Sequence, residues 1–102
     1  MKKILNGKKY NTETAKRVGY WSNNYSYRDL NYCEETLYKK RTGEFFLHGE
    51  GNAMSKYSVS CGQNSWCGGE KIIPMTESEA REWAETHLNA DEYEEIFGEV
   101  EE

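Results

Sequence analysis

Three cysteines, two histidines and a scattered set of carboxylates are the side chains in this sequence with the chemistry for catalysis or metal binding. Cys61 and Cys67 lie six positions apart, wider than the gaps usual for zinc-binding pairs. Cys33 and His48 would complete a four-ligand set only if the fold gathered all four, so ordinary thiols are expected, with no metal and no cofactor. A nucleophilic cysteine needs a positive, activating neighbourhood, whereas His87 falls on the apolar face of an acidic helix. Asp29, Glu34, Glu35, Glu44 and Glu50 could supply carboxylates for acid–base work or for a hard cation, but they read more simply as exposed strand and turn acids. Gly49-Glu50-Gly51 and Cys67-Gly68-Gly69 match neither phosphate-binding glycine pattern. No catalytic residue is expected, and the chain reads as a non-enzyme.

Charge is the stronger signal. The net charge of −5 divides unevenly: residues 1–76 carry a balance of +5 and residues 77–102 a balance of −10. The cations cluster as Lys8/Lys9, Lys16/Arg17 and Lys39/Lys40/Arg41. They could line a nucleic-acid groove with Tyr10, Tyr20, Trp21 and Tyr38 as stacking surfaces, or be solvated charges that keep sheet edges from pairing. A pI near 5.1 argues against tight binding to phosphate backbones and allows only weak nucleic-acid contact. The acids of the C-terminal segment include Glu77, Glu82, Glu85, Asp91, Glu92 and Glu95. They present either a row of charge resembling phosphates, drawn to a positive channel, or a helix face kept acidic for solubility. These six are the candidate partner-binding residues, with Lys39, Lys40 and Arg41 as a second candidate set.

At 102 residues the chain is expected to form one domain, a basic sheet portion over 1–76 and an acidic helical portion over 77–102. Its eight Tyr, three Trp and three Phe can build a thin core and leave aromatic surface for an interface. No apolar run approaches the length of a membrane span. Lys2 to Leu5 runs straight into Asn6-Gly7, which predicts no signal peptide. An odd cysteine count without such a signal predicts free thiols in a reducing cytoplasm.

The elements that must position these groups follow from local pattern. Asn6-Gly7 predicts a type I′ hairpin. Thr12 to Gly19 predicts one or two helical turns capped by Thr12, and residues 20–27 an aromatic loop. Residues 29–38 and 53–60 alternate as strands, and a central hairpin over 34–51 turns at Gly43. It places Phe45, Phe46 and Leu47 under the C-terminal helices. Residues 61–69 predict a glycine-rich loop, and 70–73 a strand that Pro74 ends. Thr76-Glu77-Ser78-Glu79 is a capping box opening a helix with Ala80, Trp83, Ala84, His87 and Leu88 on one face. Asn89 would end that helix and Asp91 would cap a second, burying Tyr93, Ile96 and Phe97 before Gly98. The fold class is α+β: an antiparallel sheet of about five strands covered by one or two C-terminal helices.

Three stretches also carry a family resemblance: Ile4 to Ala15, Glu35 to Gly51, and Ile73 to Ala80 with Trp83. Together they resemble small proteins encoded on plasmids and integrative elements of Gram-positive bacteria, among them type II-A anti-CRISPR proteins. The resemblance implies a stoichiometric inhibitor of the type II RNA-guided effector nuclease, binding it alone or with guide RNA. It would interfere with guide loading or with target DNA binding. The alternative it leaves open is a nucleic-acid-binding accessory protein of a mobile element.

Overall fold

In the computed structural model, which describes residues 1–102, Asn6 and Gly7 both take positive φ (52° and 78°). They close a hairpin of β1 (Lys2–Leu5) and β2 (Lys8–Asn11), as a type I′ turn requires. Thr12 does not cap a helix. Its amide donates to the Met1 carbonyl and its hydroxyl bonds the Met1 backbone, so it finishes the hairpin. After a turn, the expected helical stretch is β3 (Lys16–Ser22). Val18, Tyr20 and Trp21 suit a pleated surface, and pairing with the next strand overrides weak helical propensity.

Residues 29–32 are turn rather than strand, held where Asn52 Nδ2 donates to the carbonyls of Tyr27 and Asp29 at 2.7 Å each. The strand is shorter, β4 (Cys33–Lys39), and reverses through Gly43 at φ 93° into β5 (Phe45–Gly51). Residues 53–58 are turn as well, and Tyr57 points inward from it. The expected loop at 61–69 is instead a side hairpin of β6 (Val59–Gly62) and β7 (Ser65–Cys67), fully exposed. Cys61 and Cys67 are disulfide-bonded across it with their Cα atoms 5.8 Å apart, correcting the expectation of free thiols. Only Cys33 is free, and it is buried. β8 (Gly69–Met75) runs on through Pro74, which an edge strand tolerates because its outer side needs no donor.

The main sheet has the order β3-β4-β5-β8, antiparallel throughout. Thr76 and Glu79 form the expected capping box at the head of α1 (Glu77–His87). Asn89 is the N-cap of α2 (Ala90–Phe97) rather than the end of α1. It forms a second capping box with Glu92, which leaves Asp91 in the first turn. No helix is long and apolar enough to cross a membrane.

Alternation along the strands divides the core in two. Leu37, Phe45 and Leu47 face α1 and pack on Ala80, Trp83 and Ala84, with Tyr93, Ile96 and Phe97 of α2 alongside. Phe46 does not lie under the helices: consecutive strand residues point to opposite faces. It packs instead with Tyr10, Tyr38 and Ile72 beneath the N-terminal hairpin.

Glu35, expected at the surface, is 1% exposed on the helix side of the sheet. Its carboxylate accepts from Trp83 Nε1 at 2.9 Å and from the Tyr57 hydroxyl, and pairs with Lys56 Nζ at 2.6 Å. Burial pushes its pKa up, but the bonds from Lys56, Tyr57 and Trp83 together outweigh that and hold it below the ordinary value. Gly49 makes the approach possible, because a Cβ there would run into the Tyr57 ring. Truncation by Glu35→Ala leaves two buried donors unmatched and is expected to lower unfolding stability by about 2–4 kcal/mol. Urea denaturation reads this, and a loss below about 1 kcal/mol would show that the network is dispensable.

Candidate binding surfaces

All six predicted acidic residues are exposed on α1 and α2, but their local roles differ. Glu77 lies 3.5 Å from Arg81, the one cation of this segment, and Arg81 is itself drawn over the Phe97 ring and onto the Tyr93 hydroxyl. Glu92 bonds back to the Asn89 amide as part of its capping box, so part of its function is structural. Glu82, Glu85, Asp91 and Glu95 make no ion pair with any cation of the chain. Between the two helices and the C-terminal tail lies an open cleft of about 550 Å³. Ala84, Leu88, Ala90, Tyr93 and Val100 give it an apolar floor, and Glu85, Glu94, Glu101 and Glu102 ring it with carboxylates.

The predicted basic tip is only partly free. Lys40 Nζ sits 3.6 Å above the Tyr10 ring and 3.8 Å from Glu44, with 13% of its side chain exposed. It therefore joins the tip to the N-terminal hairpin through a cation–π contact. Lys39 lies over the Phe45 ring at 5.5 Å, and Arg41 is exposed. Lys8 is taken up by Glu44 at 2.9 Å. Tyr10 and Tyr38 are buried in the second core cluster, so they offer no stacking surface.

A third feature was not legible as a site. On the sheet face away from the helices, Glu34, Glu50 and Glu70 stand opposite one another across β4, β5 and β8. Tyr20 and Tyr32 both donate to Glu34 Oε2, at 2.7 and 2.5 Å, and His48 Nε2 lies 3.1 Å from Glu70. Glu34 and Glu50 are placed to share a proton. The bond to Glu34 and then burial raise Glu50 to about 7, while the same shared bond, with help from Tyr32, Tyr20 and His48 against burial, holds Glu34 near 2. Tyr32, Glu34, Glu50 and Glu70 border an open hollow with Tyr27, Asn52, Gly68 and Gly69 on its rim. Alternation marks Glu34 and Glu50 as belonging to one strand face each, but only the register aligns them.

No family model, no curated protein and no solved structure matches the chain.

Chemically, then, the molecule offers an acidic, apolar-floored cleft, a cationic turn region and a proton-sharing carboxylate pair. The pair has a measurable signature. Glu50 is raised above its ordinary value near 4.5, so the folded state is penalised as pH rises from that value and fully so above about 7. Glu50→Gln removes this penalty. Because the pair is half open to water, the expected gain is about 0.5–1 kcal/mol, a few degrees in melting temperature at pH 8. At pH 5 wild type and variant should melt alike. Equal shifts at both pH values would exclude the shared proton.

Proposed function

We propose that this protein is a non-enzymatic, stoichiometric inhibitor of the RNA-guided effector nuclease of type II CRISPR systems, part of a mobile element's equipment. The sequence resemblance suggests the partner, and the acidic helical cleft is the observation that carries the reading. Such nucleases hold guide and target in positively charged channels. A cleft with an apolar floor and a rim of unpaired carboxylates complements a protein surface that offers lysine or arginine around an apolar anchor. Nucleic acid would be repelled from the same cleft, so competition with guide RNA or target DNA follows from occupancy of the channel.

Electrostatic attraction of this kind acts mostly on the association rate and weakens with salt. The helix caps at Thr76/Glu79 and Asn89/Glu92 fix the two helices, so the presenting scaffold is separable from the presented charge.

The separation makes a clean test. Glu85→Gln, Glu94→Gln, Glu101→Gln and Glu102→Gln combined remove the charged rim of the cleft, spare both capping boxes and should leave the melting temperature near wild type. Binding to the nuclease, measured with and without guide RNA at low salt, should weaken at least about tenfold, mainly through slower association. An unchanged Kd, or no complex of the wild-type protein with either form, would overturn the proposal.

A further inference from the structure

The turn region at one end of the main sheet holds four cations, Lys9, Lys16, Lys39 and Arg41, that form no ion pair within the chain. Lys16 of β3 and Lys39 of β4 are direct cross-strand partners. Like charges in that position destabilise a ladder, and no carboxylate forms an ion pair with either. Two adjoining hollows of about 310 and 250 Å³ open here. Thr14, Ala15, Lys40 and Arg41 line both; Lys16 and Lys39 complete the first, and Lys9 and Asn11 complete the second. Lys9 of β2, Lys16 of β3, Lys39 of β4 and Lys40 and Arg41 of the β4–β5 tip thus converge on one groove whose lining contains no acid and no aromatic ring.

From this juxtaposition we infer that the groove is a binding site for the phosphodiester backbone of a nucleic acid. Four cationic side chains without an internal ion pair, Lys9, Lys16, Lys39 and Arg41, match two or more neighbouring phosphates better than a single small anion. The absence of aromatic lining leaves no stacking platform, so recognition runs through phosphates and is independent of base sequence. The tip is held in place beforehand, because Lys40 is seated on Tyr10 and Glu44 bridges Lys8 and Lys40. The groove stands apart from the acidic cleft in its residues, so the inference does not rest on the identity of the protein partner.

Fluorescence anisotropy with two unrelated 12-nucleotide RNAs and with a DNA duplex, at 25 to 150 mM salt, tests this. Binding should be similar for the two RNA sequences, weaken with a log–log salt slope of about −2 to −3 on single strands, and not be displaced by millimolar inorganic phosphate. Lys9→Gln/Lys16→Gln/Arg41→Gln should weaken it at least about tenfold and flatten the slope. Lys2→Gln/Lys3→Gln/Arg28→Gln removes the same charge elsewhere and should change Kd less than about twofold. The groove variant should also melt no lower than wild type, since it relieves the Lys16/Lys39 repulsion. Equal losses in the two triple variants, displacement by free phosphate, or no binding at 25 mM salt would each overturn the site.

Discussion

Glu35 is a carboxylate with 1% of its surface exposed, and such a group persists in a folded protein only when its charge and its lone pairs are answered. Here the answers come from two separate parts of the chain. Trp83 reaches it from α1, Tyr57 and Lys56 from the turn before β6, and His87 comes within 3.8 Å from the last turn of the same helix. His87 is packed between Trp21 and Trp83, with ring centroids 4.4 and 5.1 Å away, and burial lowers its pKa against the pull of Glu35. One side chain of β4 therefore fixes where the helix lies on the sheet and how the 53–58 turn is tucked beneath it. Apolar packing alone would tolerate some sliding; a carboxylate with directed donors does not.

That constraint explains why the surfaces could be left free of structural duty. The helix layer is located by Glu35 and by the apolar cluster around Leu37, Phe45 and Trp83, so the outward carboxylates of α1 and α2 need contribute nothing to position. Those that do contribute, Glu79 and Glu92, do so through their own helix ends. On the other face, the N-terminal hairpin covers only the end of the sheet around Tyr38, Phe46 and Ile72. The rest of that face keeps its polar row, which is why Glu34 and Glu50 meet at a half-exposed position rather than inside the core.

Local features were legible in the sequence and non-local ones were not. Asn6-Gly7 dictates its turn through backbone sterics, and Thr76/Glu79 dictate a helix start through two short hydrogen bonds, so both read correctly. The α+β class followed from them. Thr12 to Gly19 read as helix because propensity is weighed over a few residues, while the deciding term was pairing of β3 with β4. Glu35 could not be read as buried, since its partners Tyr57 and Trp83 lie 22 and 48 residues away. The Cys61–Cys67 bridge was closer to hand: six residues containing an Asn64 at φ 58° is a spacing a tight hairpin can close. The acidic candidates were found because charge is a property of composition, but only Glu85 of the six lines the apolar-floored cleft, which depends on how α1, α2 and the tail fold together.

Two like-charge ladders remain in the main sheet, and the chain treats them differently. Across β4 and β5 the repulsion between Glu34 and Glu50 is answered internally: one proton serves both carboxylates, and Tyr20 and Tyr32 add donors to the one that stays charged. Across β3 and β4, Lys16 and Lys39 have no such route, because ammonium groups cannot share away a charge at neutral pH and neither forms an ion pair with any acid of the chain. Glu44, the acid at the adjoining turn, is already divided between Lys8 and Lys40. Relieving the lysine pair would take only one substitution at an exposed position, such as residue 16. A ladder whose imbalance is met from within is a structural device; the lysine ladder, with Lys16 exposed on the edge strand β3, leaves its charge to solvent or to an anion that binds there.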